Sequence, residues 1–433
     1  MNKKLKVIFS LLALGLAAGL AGQQAGTVLI KNVTAYPLTG APLPNADILI
    51  ENGKIKAIGQ GLAAPEGTPV IEAAGLSAYP GFIDAFTHYG LAEISAIAST
   101  VDFREMGKEN PELKVAWAIN PASIHFGTGR VTGTTAALVA PAGGTFPGLS
   151  ALVKMDGWTF PEMQVKEVAT SLINFPVTPR PPREGYAPQQ EAKADVTSIL
   201  VDKIKDYLNE ARRYLQLKKL AADNPKLSPP AVDPKFEALA PALEGKLPVI
   251  ISVEKAKDIE LAIRFVAEQK LKAIFRGCAQ GFRVADKIKA AGIPVIIDNL
   301  YLSPSEPEDG YDAPYRNVVE LARAGVLICF SSGEDPASGK DLPCHAAKAV
   351  AFGLDRTEAL KALTINAAKI LGVDDRLGSL EPGKDADLFL IAGDPLDYKA
   401  EVKSLFINGR RIDLSNWWED LYRKWKARPQ KNE

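Results

Sequence analysis

Eight short apolar runs recur along the middle of this chain and alternate with stretches of helical periodicity. They are Gly81–Ala85, Thr135–Ala140, Ser150–Lys154, Val168–Ile173, Val249–Val253, Lys272–Phe275, Ile293–Ile297 and Val326–Phe330. Runs this short and this continuously apolar read as strands covered on both faces, and the intervening helical patterns supply the cover. Strands that alternate with helices form parallel sheets. Eight such units predict the α/β class, with a closed (β/α)8 barrel of the TIM type. Barrels of this kind carry their reactive groups at the C-terminal ends of the strands, so those positions are the ones to question.

Two further β units lie at opposite ends of the sequence. Ile48 to Ile58 alternates apolar and polar residues around Asn52-Gly53, a hairpin signal. Asp387–Ile391 and Val402–Arg410 read as strands, the latter ending in Asn408-Gly409-Arg410. Neither unit is large enough to fold alone, so the two are expected to pair into one small β-domain built from both ends, residues 27–80 plus 376–415. The barrel then occupies 81–375. Within it, 176–247 reads as an insertion that opens on a proline-rich stretch. Leu200, Ile204, Tyr207, Leu208, Ala211 and Leu215 follow on one helical face, expected to pack on the barrel wall. Residues 416–433, with Trp417, Trp418, Tyr422 and Trp425, read as a docked terminal helix; the alternative is an exposed aromatic interface.

The start of the chain reads as a targeting segment. Lys3, Lys4 and Lys6 precede an apolar run from Val7 to Ala21, shorter than the ~20 residues of a membrane span. Gly19-Leu20-Ala21 offers small residues for cleavage after Ala21, which makes 1–21 a signal peptide and the protein exported, periplasmic or secreted. An uncleaved anchor is the competing reading; after cleavage no stable membrane insertion is expected. Lys+Arg and Asp+Glu balance at 51 each, so the composition points to no nucleic-acid or anionic-membrane partner and leaves a small molecule as the expected ligand. It says nothing of oligomeric state. Cys278, Cys329 and Cys344 lack zinc-site spacing and are expected as free thiols, with a Cys329–Cys344 bridge as the alternative.

One strand carries more than apolar patterning. Pro80-Gly81-Phe82-Ile83-Asp84-Ala85-Phe86-Thr87-His88 resembles the first barrel strand of the amidohydrolase superfamily, whose pattern continues from the aspartate as x-His-x-His. Leu377-Gly378-Ser379-Leu380-Glu381-Pro382-Gly383-Lys384-Asp385-Ala386-Asp387-Leu388 is similar to that family's return from barrel to β-domain. Asn120–Ser123, Arg130–Thr135 and the loop Ala140–Gly148 resemble an exported subgroup near imidazolonepropionase. The resemblance implies hydrolysis of non-peptide C–N bonds, such as those of cyclic amides, with a metal-activated water and an aspartate that moves the proton.

Carried over position by position, the implied ligand set is mostly replaced. Phe86 stands at the first histidine and His88 at the second. Strand four, Val168 to Asn174, ends without lysine or glutamate. Ser252 stands at strand five, Arg276 lies at the end of strand six, and Gly333 takes the strand-eight aspartate position, with Glu334 and Asp335 just beyond. The whole chain holds three histidines, His88, His125 and His345, too few for the family's binuclear centre. A single divalent metal such as zinc, held by His88 with Asp335 or Glu334 and Glu254, is one reading; no cofactor at all is the other. His88 and Asp335 are the candidate catalytic groups, with His88 the one retained ligand. Phe86, Ser252, Glu254, Arg276, Gly143 and Gly144 are the candidate pocket residues, the glycines because they allow positive φ and close backbone approach. His125 reads as structural. Cys344 and His345, neighbours on a helix, diverge by about 100° and form no dyad. Two functions follow: a hydrolase with a thinned metal site, or a non-catalytic exported binding or scaffold protein that keeps the barrel.

Overall fold

Asn-Gly pairs set the hairpins at both ends. The computed structural model describes residues 26–178 and 196–428; the segment expected as a signal peptide lies outside them. Strands β1 (Val28–Ala35), β2 (Leu43–Glu51) and β3 (Lys54–Gly59) form an antiparallel ribbon. Asn52 and Gly53 turn β2 into β3 with φ of 51° and 78°, the doubly positive geometry that a two-residue hairpin requires. β4 (Val70–Glu72) and β5 (Ser77–Pro80) both pair parallel to β1.

The chain then enters the barrel. β6 (Phe82–Thr87), β7 (Thr134–Val139), β8 (Leu149–Lys154), β9 (Gln164–Asn174), β10 (Val249–Val253), β11 (Ala273–Gly277), β12 (Val295–Ile297) and β13 (Ile328–Phe330) lie side by side in sequence order. All eight predicted runs are strands of this sheet. Helices α1 (Ile124–Arg130), α2 (Phe160–Met163), α3 (Val196–Asp223), α4 (Pro234–Leu243), α5 (Ala256–Gln269), α6 (Ala285–Ala290), α7 (Ala313–Arg323), α8 (Leu342–Ala351), α9 (Arg356–Ala362) and α10 (Ile365–Ile370) punctuate and follow them. Alternate strand residues split into two clusters. Ile250, Ile274, Ile296 and Cys329 pack together inside, whereas Ile251, Phe275, Ile297 and Phe330 meet helix residues such as Phe265, Ile288 and Leu321. The inward parity of Ile250 and Ile274 carries Ser252 and Arg276 to the upper rim.

One strand departs from the expected pattern. β8 is antiparallel to both β7 and β9. Val139 and Leu149 are too close in sequence for a parallel crossover, which takes about a dozen residues or more. Between β13 and β6, which share no strand ladder, side chains and the α9–α10 turn bridge the gap. Asp84 accepts hydrogen bonds from the Ser332 amide (3.0 Å) and hydroxyl, and the Ile83 amide donates to Leu363 O at 2.8 Å.

After α10 the chain returns to the first sheet. β14 (Leu388–Ala392) pairs antiparallel with β5, β15 (Glu401–Ile407) with β14, and β16 (Arg410–Ile412) with β15. The sheet reads β16-β15-β14-β5-β1-β2-β3, a β-domain of both chain ends. A final helix, α11 (Trp417–Lys426), follows and adjoins α1; none of its residues is buried, and its aromatics stay about half or more exposed.

The reversed strand has a structural use. Lys154, at the end of β8, pairs in register with Ala136 near the start of β7 and therefore lies at the barrel floor. There its ammonium meets Asp385 (3.1 Å) and Asp387, both in the return loop. Asp385 also binds Lys54 of β3 (2.7 Å) and Arg376 (2.9 Å), and Asp387 accepts the Asn408 amide at 2.8 Å. Burial would raise the Asp385 carboxyl, but Lys154 above all, with Lys54 and Arg376, holds it at about 2. Removing one member of a buried ion cluster strands the others. Lys154→Met is expected to lose about 3 kcal/mol of stability, read as a lower urea midpoint at unchanged slope. Because the folded carboxyl titrates below the unfolded one, the Asp385 contribution is full above about pH 4 and fades as pH falls toward 2. The variant should show a weaker acid limb, with Lys54 and Arg376 still holding Asp385.

Candidate active site

The strand ends of the upper rim gather an aromatic and ionic cluster. Phe86 and His88, at and just past the end of β6, are both buried. The His88 ring stacks on Phe103, centroids 4.4 Å apart and planes within 13°, and meets Phe86 edge-on at 6.0 Å. His88 Nδ1 lies 2.8 Å from Ala140 O at the end of β7. A carbonyl only accepts, so Nδ1 carries the proton and Nε2 keeps its lone pair. Nε2 has no hydrogen-bond partner among the described residues. Burial lowers the His88 pKa, Arg276 adds to that, and Glu334 and Asp298 oppose it. The imidazole is therefore neutral at pH 7.

Above Phe86 lies a cation. The Arg276 guanidinium carbon sits 3.6 Å from the centre of the Phe86 ring, a close cation–π contact. Its two terminal nitrogens donate to Asp298 (2.5 Å) and Glu334 (2.9 Å), and its Nε is buried without a partner among the described residues. Asp298 is held in turn by the Ser331 hydroxyl at 2.8 Å, which also accepts the Gly333 amide at 3.2 Å. The carboxylates favour the charged guanidinium strongly enough to overcome burial and raise its pKa.

This chemistry does not fit the metal centre that the first-strand resemblance implies. Phe86 offers no lone pair where a histidine is needed, and the adjacent space already holds a fixed cation neutralised by two carboxylates. Among the described residues no group of three or more His, Cys, Asp or Glu side chains is arranged to hold an ion. The remaining imidazole donor at this rim is His88.

The other expected residues fall as follows. Glu254, just past β10, accepts the Ala279 amide at 3.1 Å and opens on a cavity of about 200 Å³ with Asp298, Leu300, Pro304 and Asn317. It keeps water contact through that cavity, yet confinement by the surrounding protein, followed by the Asp298 charge, pushes its carboxyl up to about 7. Gly277 lies against Glu254, so tightly that a Cβ there would clash with the carboxylate at 2.2 Å. Ser252 is half-buried, opposite Arg276 in the β10–β11 register. Asp335 is exposed and caps the helical turn at 336–341 through the Ala337 amide (3.1 Å); no hydrogen bond joins it to His88. Asp298 is the carboxylate that the rim uses instead. Gly143 and Gly144, with φ of 88° and 63°, bend the β7–β8 loop. Gly144 borders a second cavity of about 490 Å³ with Phe146, Asn174, Ile204 and Tyr207 of α3.

His125 is structural, its Nε2 2.9 Å from Glu93 O. His345 accepts the Leu300 amide at 3.4 Å through Nδ1, and the three cysteines are free thiols. Sequence reasoning missed Phe103, which comes from an irregular loop without periodicity, and the closure role of Asp84.

Residues 250–412 match the model of the amidohydrolase family. An amidohydrolase from Thermotoga maritima MSB8 superposes with a TM-score of 0.79 at 27% identity, covering 89% of this chain and 99% of that one. The imidazolonepropionase of Shewanella frigidimarina is 26% identical over 386 residues, 80% of this chain and 86% of its own length. The dihydroorotase of Citrifermentans bemidjiense is 57% identical over 44 residues, so the chain spans about a tenth of the length of that relative. These matches support the amidohydrolase superfamily, and the barrel with its separate sheet domain is the fold of that group.

The closure at Asp84 yields a pH prediction. Burial pushes its carboxyl up to about 7; the Ser332 and Phe86 bonds only moderate the rise, and the Asp298 charge adds to it. Below the unfolded value of 3.8 both states are protonated. Between there and about 7 the folded state holds a proton that the unfolded state has released. Stability should therefore fall with rising pH over that window, by up to about 1.4 kcal/mol per pH unit. Urea titrations across the window should show this slope in the native chain and a clearly smaller one in Asp84→Asn, where Glu254 keeps a share.

Proposed function

We propose that the barrel mouth hydrolyses a non-peptide C–N bond of a small cyclic amide with its own side chains, in an exported, periplasmic or secreted protein. The observation that carries this is the neutral, buried His88 with its unshared Nε2. Similarity to hydrolases of the amidohydrolase group supports the bond type; the basic and apolar start of the chain supports export. In the reaction, His88 Nε2 takes a proton from water as the oxygen bonds to the amide carbon. The Arg276 Nε–H is the donor for the resulting oxyanion. Collapse breaks the C–N bond, and the departing nitrogen recovers the proton from Nε2. Phe103 stacks on the ring and the Ala140 carbonyl fixes its tautomer.

A second reading has its own observation. Arg276 is already stacked on Phe86 and closed by Asp298 and Glu334, a finished ion cluster. On that reading the mouth binds a small molecule without turning it over.

A panel of lactams, hydantoins and imidazolones, assayed with chelator present, separates the two. The hydrolase reading expects turnover that chelator leaves intact and that His88→Ala lowers by about 100-fold or more. The rate should stay flat through neutral pH and fall only in acid, below the ordinary imidazole value of 6.5, because burial lowers the His88 pKa. Turnover abolished by chelator contradicts the side-chain mechanism. Calorimetric binding of a panel compound without product selects the second reading.

A further inference from the structure

The whole chain carries no net charge, but its last helix is strongly asymmetric. At about 100° per residue, Trp417, Leu421, Trp425, Trp418 and Tyr422 of α11 fall within one arc of about 140°. The remaining arc holds Glu419, Asp420, Arg423, Lys424 and Lys426. Trp417, Trp418, Tyr422 and Trp425 are 48%, 49%, 61% and 59% exposed, although each is large and apolar. Three of the five tryptophans of the protein lie in these ten residues.

The helix is held at its root. The Asn416 side chain caps it through the Glu419 amide (3.1 Å), and Ile412 and Leu414 pack on the core just before it. Its aromatic face therefore has a fixed origin while remaining uncovered among the described residues.

The borders of that face identify what covers it. Lys424 and Lys426 flank the aromatic arc on opposite sides, their ammonium groups 5.5 Å from the Trp425 ring and 5.4 Å from the Tyr422 ring. Long basic side chains at the edge of an apolar face reach outward past it, and Trp and Tyr favour the boundary between apolar and hydrated regions. From Trp417 to Arg428 there are four cations against two carboxylates, and one carboxylate, Glu419, is paired with Arg423 at 2.6 Å. Beside α1, which α11 adjoins, Trp158 is 86% exposed at a cleft of about 480 Å³, where Asp156 pairs with Arg130 (2.6 Å) and Arg410 (3.0 Å) and Arg411 and Asp413 complete the charged border. Lys424 and Lys426, one on each border, leave the rim of the aromatic face positively charged. An anionic surface neutralises them.

We propose that α11 is a membrane-surface helix, which lays its aromatic face into the interface of a bilayer bearing anionic phospholipid headgroups. It lies on the bilayer and does not span it; no helix of the described residues is long and apolar enough to cross a membrane. The short length and mixed charge mark a reversible contact, one that screening by salt weakens.

The test uses the full chain, so that everything outside α11 is common to all samples. Co-sedimentation is measured with phosphatidylcholine vesicles with and without phosphatidylglycerol, alongside tryptophan emission. The expected result is preference for anionic vesicles, with a blue shift of emission on binding. Trp418→Ser combined with Trp425→Ser should weaken binding at least about tenfold, and Lys424→Glu combined with Lys426→Glu should do the same. Circular dichroism confirms that each variant is folded; the substitutions are at exposed positions. Equal binding by wild type and both variants, or none to either vesicle, overturns the proposal. So does self-association in sedimentation velocity that the Trp pair substitution abolishes while vesicle binding stays unchanged, which would assign the face to a second copy.

Discussion

The molecule is held together at the barrel floor by one buried ammonium. Lys154 reaches from the barrel into the return loop and is met by Asp385 and Asp387, while Asp385 also gathers Lys54 and Arg376. Two β-strand systems with separate apolar cores thereby share one ionic centre. Such a centre adds little over well-packed apolar residues in net stability, but it tolerates few arrangements. It fixes where the sheet domain sits beneath the barrel, and the reversed direction of β8 is what brings Lys154 to that floor. A parallel third strand would deliver its last residue to the opposite rim.

The upper rim solves a similar electrostatic problem differently. Metal-binding barrels concentrate donors around a mobile ion. Here the positive charge is covalently part of the protein, delocalised over a planar guanidinium, and supported from below by the face of Phe86. Phe86 is thus more than a lost ligand: the residue that cannot bind an ion is the one that can carry a guanidinium. Asp298 and Glu334 then play the neutralising part, and Ser331 orients Asp298. Next to them His88 keeps one nitrogen committed and the other free.

Much of this architecture was legible in the sequence because it rests on local signals. All eight barrel runs are visible as short apolar segments, and both hairpins follow from Asn-Gly pairs that adopt positive φ. The pairing of Arg276 with Asp298 was also within reach, since both lie at ends of apolar runs. Three features were not. The partners of Lys154 lie more than two hundred residues away, in the return loop. The partner of His88 depends on Phe103, from a loop with no period. The C-terminal helix reads identically from sequence whether it docks or stays uncovered, because an amphipathic pattern names the face and not its neighbour. A whole-chain charge balance likewise hides a local excess of cations.

The shared sheet also governs the order in which this chain can assemble. β5 lies between β1 and β14, so the central seam of the sheet joins residues near 80 to residues near 390. Strands made first must wait, with one edge unpaired, until the last part of the barrel and its return loop are complete. Closing so long a loop is slow, since its entropy is lost before any contact rewards it. The first hairpin is consequently exposed to mispairing for as long as the barrel takes to form. A chain arranged this way has a built-in checkpoint: its ends can be clasped together only around a finished middle.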